Sequence, residues 1–180
     1  MSRSPPSVPV PTIPPPAVNA AALLGLRKGP PPWPAEKASL RARLRVLGLP
    51  ALSRTGTALH THQHVDVFVD GKRVIVPAGI GIGRHFISPI HTHDASGIVH
   101  VESPTRRSFS LAELFGVWGV RLTRTCLGGE CDAGKLHLFV NGRKVLDPNA
   151  VVLTPHQEIV VAFGRSPKPL PSTYSFPKSL

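Results

Sequence analysis

Apolar and polar residues alternate with a period of two through much of the chain, which is the pattern of half-buried β-strands. Two of these runs predict β-hairpins, over residues 64–76 and 136–145, because each has an Asp-Gly or Asn-Gly pair at its centre. The two hairpin sequences align at a spacing of 71 residues. We favour two independent uses of a common turn over an internal duplication, since only the hairpin repeats. The apolar run 158–163 predicts a central strand.

Two short helices are also predicted. Leucines at helical spacing, with a proline before them and a glycine after them, predict the first helix over residues 35–47. Its basic residues form the opposite, solvated face: Lys37, Arg41 and Arg45. The second helix opens with a capping box that runs from Ser110 to Glu113. This pattern makes Glu113 a capping residue rather than a catalytic acid.

The fold class that these elements predict is α+β and mainly β: a small antiparallel sheet of hairpins with one or two short helices across it. The 21 prolines cluster at both ends of the chain. We therefore predict a disordered, Pro-rich basic arm over residues 1–33, a single His-rich, β-dominated domain over 34–164 and a loosely attached Pro-rich tail over 165–180.

The net charge of +11 raises the question of an anionic partner. Most of the excess positive charge precedes His60, so the His-rich region itself is nearly neutral. The arm contains one aromatic residue, Trp33, and lacks the interleaved aromatics of single-strand binders. We expect no specific nucleic-acid partner and at most a weak contact of the arm with an anionic surface. We find neither a membrane-spanning run nor a clear signal peptide.

Histidine is concentrated in one part of the chain, since seven of the nine histidines lie between Leu59 and Glu102. Alternate residues of a strand project from the same face, so histidines at alternating positions can converge on one point. The candidate metal ligands are His60, His62, His64, His91, His93 and His100. We interpret the remaining three as structural or merely exposed: His85, His137 and His156.

The strand register decides whether these imidazoles meet. A two-residue turn at Ala95 and Ser96 would place His91 directly opposite His100, with β-carbons about 5 Å apart. His93 would then be their diagonal neighbour on the same face. A three-residue loop would instead put His100 on the opposite face from His91.

A site built mainly from imidazoles favours Cu(II), Zn(II) or Ni(II) over Ca or Mg, and we predict a copper or zinc ion. Asp94 and Glu102 lie close enough in sequence to act as acceptors that orient a ligand histidine. The cupin pattern does not fit, because Glu102 lies nine residues beyond His93 and another histidine intervenes.

The two cysteines, Cys126 and Cys131, enclose the short segment Leu-Gly-Gly-Glu. A local disulfide and a pair of reduced thiols in a loop are both compatible with this spacing. A thiolate metal site is disfavoured, because the spacing is not that of a zinc ribbon.

The run HTHDASGIVHVESP, followed by FSLAELFGVWGV, CLGGEC, NGRKV and PHQEIVVAFG, resembles a family of uncharacterised actinobacterial His-rich domain proteins. The resemblance covers about residues 32–164. Members of that family often carry a membrane anchor or an export signal ahead of the domain. The resemblance therefore implies an exported or cell-envelope location, in which a disulfide would be expected, but it implies no activity.

Three functions are compatible with the sequence. The first, which we favour, is a binding module that captures or buffers copper or zinc. The second is a metalloenzyme in which three histidines hold an ion that activates water or oxygen. The third is a structural or partner-binding domain without a metal. No nucleophile elbow, phosphate loop or HExxH motif supports an enzyme.

Overall fold

The computed structural model describes residues 14–180 and shows a seven-stranded mixed sheet, a separate two-stranded hairpin and two short α-helices. The elements in chain order are a 3-10 helix (Ala20–Ala22), α1 (Leu40–Leu47), β1 (Leu59–Val69), β2 (Lys72–Val74), β3 (Ile90–His91), β4 (Ile98–Ser103), α2 (Leu111–Trp118), β5 (Cys126–Leu127), β6 (Glu130–Cys131), β7 (Leu136–Val140), β8 (Arg143–Val145) and β9 (Glu158–Phe163). The predicted α+β, mainly β class is confirmed.

The main sheet has the strand order β3-β4-β1-β9-β7-β8, and β2 also pairs with β1. The prediction of a wholly antiparallel sheet is wrong for one pair, because β9 runs parallel to β1 and antiparallel to β7. All six residues of β9 are buried, as is typical of a strand in a parallel pair that is covered on both faces. The predicted central position of β9 is confirmed.

Both predicted hairpins form and lie on opposite sides of β9. Their turn residues have positive φ angles, 50° and 78° at Asp70 and Gly71 and 50° and 77° at Asn141 and Gly142. Two successive residues with positive φ define the type I′ turn, which matches the twist of the adjoining strands.

The first helix begins at Leu40, five residues later than the predicted start. The segment before Leu40 is not α-helical and is fixed by two hydrogen bonds of Glu36. The Glu36 carboxylate accepts a hydrogen bond from the backbone N–H of Ser39, and the Glu36 N–H donates to the carbonyl of Trp118. The second helix forms as predicted. The Ser110 hydroxyl accepts from Glu113 N–H, and the Glu113 carboxylate accepts from Ser110 N–H.

The two faces of the sheet have different coverings. The inner face, which includes Val65 and Val67, packs against both helices in the main hydrophobic core. The outer face carries the even-numbered residues of β1, and its apolar part around Phe68 packs against Leu170 of the tail. Tyr174 of the tail also stacks on the imidazole of His64, with ring centroids 3.7 Å apart.

Both Pro-rich flanks therefore contribute described residues that contact the domain. Residues 14–33, assigned from sequence to a disordered arm, include the buried side chains Leu23 and Trp33, and Arg27 N–H donates to the carbonyl of Gly119. The interpretation of this part as unstructured is corrected, because its apolar residues complete the core beside α2. The rest of the predicted arm, residues 1–13, lies outside the described residues.

Candidate metal centre

Three neighbouring strands bring the predicted histidines to the outer face of the sheet. Strand β4 lies between β3 and β1, so His100 pairs with His91 on one side and with His62 on the other. The predicted register between His91 and His100 is confirmed. In the next outward-facing position, His60 pairs with Glu102. A row of imidazoles therefore crosses three strands, with one carboxylate at its edge.

Five imidazoles and one carboxylate lie close together, and we call this set the histidine cluster: His60, His62, His91, His93, His100 and Glu102. It divides into two groups that share His100 and Glu102. The β1 group adds His60 and His62 to these two residues, and the β3 group adds His91 and His93. Within each group the potential ligand atoms all lie within 4.8 Å of one another.

The nitrogen separations match those of ligands around one ion. The Nε2 atoms of His60 and His62 are 3.1 Å apart, and those of His91 and His93 are 3.2 Å apart. Two nitrogens bound to a tetrahedral ion at 2.0–2.1 Å are separated by roughly 3.3 Å. Each imidazole pair is therefore spaced to hold a transition-metal ion without a large rearrangement.

The tautomer of His91 follows from its hydrogen bonds. Its Nδ1 lies 3.0 Å from the carbonyl oxygen of Ser88, which can only accept, so Nδ1 carries the proton. In the neutral imidazole, Nε2 then presents its lone pair to the cluster. A backbone carbonyl that fixes the tautomer in this way is a common support for a metal-binding histidine.

Glu102 lies among the imidazoles rather than behind one of them. Its Oε1 is 3.4 Å from His60 Nε2, 3.8 Å from His91 Nε2 and 3.5 Å from His100 Nδ1. Burial alone would raise the pKa of this carboxyl, but the Thr55 hydroxyl and the surrounding imidazoles lower it overall. Glu102 is therefore an anion at neutral pH and offers a carboxylate ligand.

One buried nitrogen of the cluster has no good hydrogen-bond partner among the described residues. His100 Nδ1 is buried, and the Glu102 Oε1 atom lies 3.5 Å from it, which is longer than a normal hydrogen bond. Leaving a buried polar atom unpaired costs about 1–3 kcal/mol. A bound cation would remove this cost, so the donor set fits a metal ion.

The central imidazoles are neutral at physiological pH. Burial, followed by repulsion from neighbouring imidazoles, lowers the pKa of His62 and of His100 to about 4. Burial likewise lowers the pKa of His91 to about 4, although its bond to Ser88 acts in the opposite direction. Neutral imidazole is the form that binds metal ions.

These lowered pKa values predict how the metal-free protein responds to acid. Each of the three histidines has a pKa of about 4 in the folded state and an ordinary pKa of 6.5 in the unfolded chain, so between these two values the unfolded chain binds more protons. The free energy of unfolding should therefore fall as pH decreases from 6.5 to 4. Denaturant titration in EDTA measures this slope, which should be shallower for His100→Gln. An identical slope in parent and variant would contradict the lowered pKa of His100.

His64 does not join the histidine cluster, although it is part of the same alternating row. Its Nδ1 lies 2.7 Å from Glu158 Oε2, and its Nε2 donates to the carbonyl of Ser96 at 2.9 Å. With Asp66 and Glu158 it forms a third, buried group that could in principle hold an ion. The His64 Nε2 donates to a backbone carbonyl and its Nδ1 is held by the Glu158 carboxylate, so neither nitrogen faces another histidine and we interpret His64 as structural. Its strand position explains the difference, because it lies opposite Ile98 and beside Glu158 of β9.

The segment that carries His93 differs from the predicted two-residue turn. Strand pairing stops at His91, and residues 92–97 form a longer connection before β4. Asp94 accepts a hydrogen bond from the N–H of Ser96 within this connection, so its observed partner is the backbone rather than a ligand histidine. The exposed His93 side chain nevertheless reaches back to the cluster, with its ring centroid 4.6 Å from that of His100.

Gly97 closes this connection in a conformation that other residues adopt only with strain. Its φ is +91°, and an added β-carbon would lie 2.7 Å from His64 Nε2 and 2.8 Å from the Val65 carbonyl oxygen. Gly97→Ala should therefore lower the free energy of unfolding by about 1–3 kcal/mol. Urea unfolding measures this loss. Gly134→Ala is the matched control, because its nearest neighbouring atom would be 3.7 Å away. Equal stabilities of the two variants would contradict this role of Gly97.

The remaining histidines lie outside the cluster. His85 is exposed, and His137 is half-buried on β7. His156 lies closer to the histidine cluster than the sequence indicated, because its backbone N–H donates to the carbonyl of His62. Its ring contacts Phe176 of the tail. Thr55, which bonds Glu102, was not identified from sequence. An isolated threonine in a loop carries no pattern that could have indicated this contact.

The fold and the site define an α+β, mainly β protein whose histidine and glutamate side chains could hold a metal ion. No family model, curated protein or solved structure matches the chain. Cys126 and Cys131 form a disulfide between β5 and β6, which is consistent with a location outside the cytoplasm. In the region 14–180, no helix has the length and apolar character needed to cross a membrane.

Proposed function

We propose that this protein is a binding module for a transition-metal ion, copper or zinc, which it captures or buffers through the histidine cluster. The observation that carries the proposal is the convergence of five imidazoles and one carboxylate on one sheet face. In the metal-free protein the Nε2 atoms of His60 and His62, and those of His91 and His93, are paired with each other, and the buried Nδ1 of His100 has no described partner within normal hydrogen-bond distance. A metal ion would give these nitrogen lone pairs a partner that does not require a proton.

The ligand types support borderline metal ions over hard ones. Imidazole nitrogen suits Zn(II), Cu(II) and Ni(II), whereas Ca²⁺ and Mg²⁺ require mainly oxygen ligands. The cysteine sulfurs are bound to each other in the disulfide, so thiolate ligation is not part of the proposal.

A metalloenzyme is a second candidate because solvent reaches the cluster. The side chain of His60 is 56% exposed, and His93 is also exposed. An ion held at this edge could retain a water ligand and lower its pKa. Azide binding to the copper-loaded protein, followed by its charge-transfer absorption, would detect an exchangeable position. If azide does not bind, the ion has no exchangeable position, which would contradict the metalloenzyme and support the metal-capture function.

Elemental analysis of the full chain tests the proposed function. The protein is stripped with EDTA, exposed to Cu(II) or Zn(II), desalted and compared with His91→Ala/His93→Ala and with the surface control His85→Ala. We expect metal in the parent and the control and less in the double variant, which keeps only the β1 group. Free metal at 100 times its dissociation constant should also stabilise the fold by about 2.7 kcal/mol. Absence of metal from all three proteins would leave a structural or partner-binding domain.

The location that we propose is extracytoplasmic, in the cell envelope or beyond it. The disulfide supports this, because such bonds persist mainly in oxidising compartments. Membership of the actinobacterial family that the sequence resembles is part of the same proposal. Labelling of free thiols in protein isolated from its native compartment would test it, and two reactive cysteines would count against it.

A further inference from the structure

The histidine cluster offers six possible ligands, which is more than the four of a typical zinc site. Six residues contribute to it, yet they form two groups of four rather than one group of six. Ligands of a single ion lie at most about 4.2 Å apart when each metal–nitrogen bond is 2.0–2.1 Å long. The six residues do not form a single group even within 4.8 Å, whereas two groups of four do, and the two imidazoles of each pair lie 3.1 or 3.2 Å apart.

The sheet topology explains the division. The two imidazole pairs come from opposite sides of β4, one from β1 and the other from β3 and the segment after it. His100 and Glu102, both on β4, lie between them. Backbones of adjacent strands are about 4.8 Å apart, so β1 and β3 are separated by about twice that distance. Each pair therefore faces the shared residues from its own side.

Glu102 is placed to serve both sides. Its Oε1 is 3.4 Å from Nε2 of His60 and 3.8 Å from Nε2 of His91, one nitrogen from each pair. A carboxylate between two cations reduces their mutual repulsion, and paired metal ions in proteins are typically about 3.5–4 Å apart. The Thr55 hydroxyl bonds this carboxylate and helps to fix its position.

We infer that the histidine cluster is a dinuclear centre that holds two transition-metal ions, one at each imidazole pair, with Glu102 as their bridging ligand. This inference rests on the proposed function and deepens it. Two ions divide the six residues, so each ion has about three or four protein ligands and keeps a position for water or a small anion. Six ligands around one ion would leave it no position for water, but six ligands divided between two ions leave such a position on each.

The charge of the centre supports an exogenous anion as a further ligand. Neutral imidazoles and one carboxylate give the protein ligands a charge of about −1, whereas two divalent cations bring about +4. Hydroxide or another small oxygen anion would reduce the remaining positive charge. The exposed side chains of His60 and His93 leave this position open to solvent.

Metal titration of the full chain tests the inference. The EDTA-stripped protein is titrated with Cu(II) or Zn(II) against a chromophoric chelator, beside His60→Ala, His93→Ala and the control His85→Ala. His60 and His93 are exposed, so their loss should leave the fold intact, as circular dichroism would verify. We expect about two ions in the parent and the control, and about one tight ion in each cluster variant. In the two-copper protein, coupling through Glu102 should lower the integrated EPR intensity below that of two isolated ions.

The outcomes separate this inference from the proposed function. One ion in the parent would overturn the dinuclear centre and leave a mononuclear binding module. Two ions that both remain tight in His60→Ala and His93→Ala, or that show the full EPR intensity of isolated copper, would also overturn it. No bound ion in the parent would overturn both proposals.

Discussion

Replacing His100 with alanine is expected to weaken transition-metal binding more than about 100-fold, which exceeds the usual cost of losing a residue that only supports a ligand. His100 is the one imidazole that both groups of the histidine cluster share. Its ring lies 4.6 Å from that of His62 and 5.5 Å from that of His91. Its loss therefore removes a donor from each group, whereas any other single histidine affects one group.

Competition titration of the full chain with a chelator of known affinity measures this effect. His85→Ala controls for the loss of an exposed histidine outside the cluster and should bind like the parent. His62→Ala should have an intermediate affinity, because it leaves the β3 group intact. Parent-like affinity of His100→Ala would show that the cluster is not the binding site.

Replacing Arg43 with methionine is expected to lower the free energy of unfolding by about 3–5 kcal/mol. The Arg43 side chain is fully buried and pairs with Glu36. It donates to the carbonyl oxygens of Gly116 at 2.8 Å and Val117 at 3.1 Å, in the last turn of α2. Methionine would remove the guanidinium from the Glu36 carboxylate and from these carbonyls, and the apolar side chain cannot replace its hydrogen bonds.

Urea unfolding at neutral pH measures this loss, and Arg45→Met is the matched control on the same helix. Arg45 is exposed, so its replacement should change stability by less than about 0.5 kcal/mol. Arg43→Lys should remain strongly destabilised, because an ammonium cannot reproduce the planar arrangement of donors. A loss below about 1 kcal/mol for Arg43→Met would contradict the structural role of this residue.

Local patterns in the sequence were sufficient to predict the hairpins, the helix at Ser110 and the central strand β9. These features depend on contacts between residues that are close in sequence or on an apolar run with a single interpretation. The start of α1 was predicted too early because Glu36 bonds Ser39 and packs against the end of α2, which is distant in sequence. The sequence contains no local indication of that contact.

The pairing of His91 with His100 was predicted from alternation, although the turn that joins them was not. Ile90 and Val101 beside them face inward, so a one-residue slip would turn these side chains to the wrong face of the sheet. The position of β4 between β3 and β1 depends on non-local pairing. For that reason the sequence could not show that His100 and Glu102 are shared, or that His64 lies beside Glu158 instead.

The most direct test of metal binding is anomalous diffraction from crystals of the protein loaded with zinc or copper, recorded at the absorption edge of the metal. We expect anomalous density in the histidine cluster, at about 2.0–2.1 Å from Nε2 of His91 and within bonding distance of the His93 imidazole. If the crystals show no anomalous density there, and the Nε2 atoms of His91 and His93 remain in contact with each other, the proposed metal site is wrong.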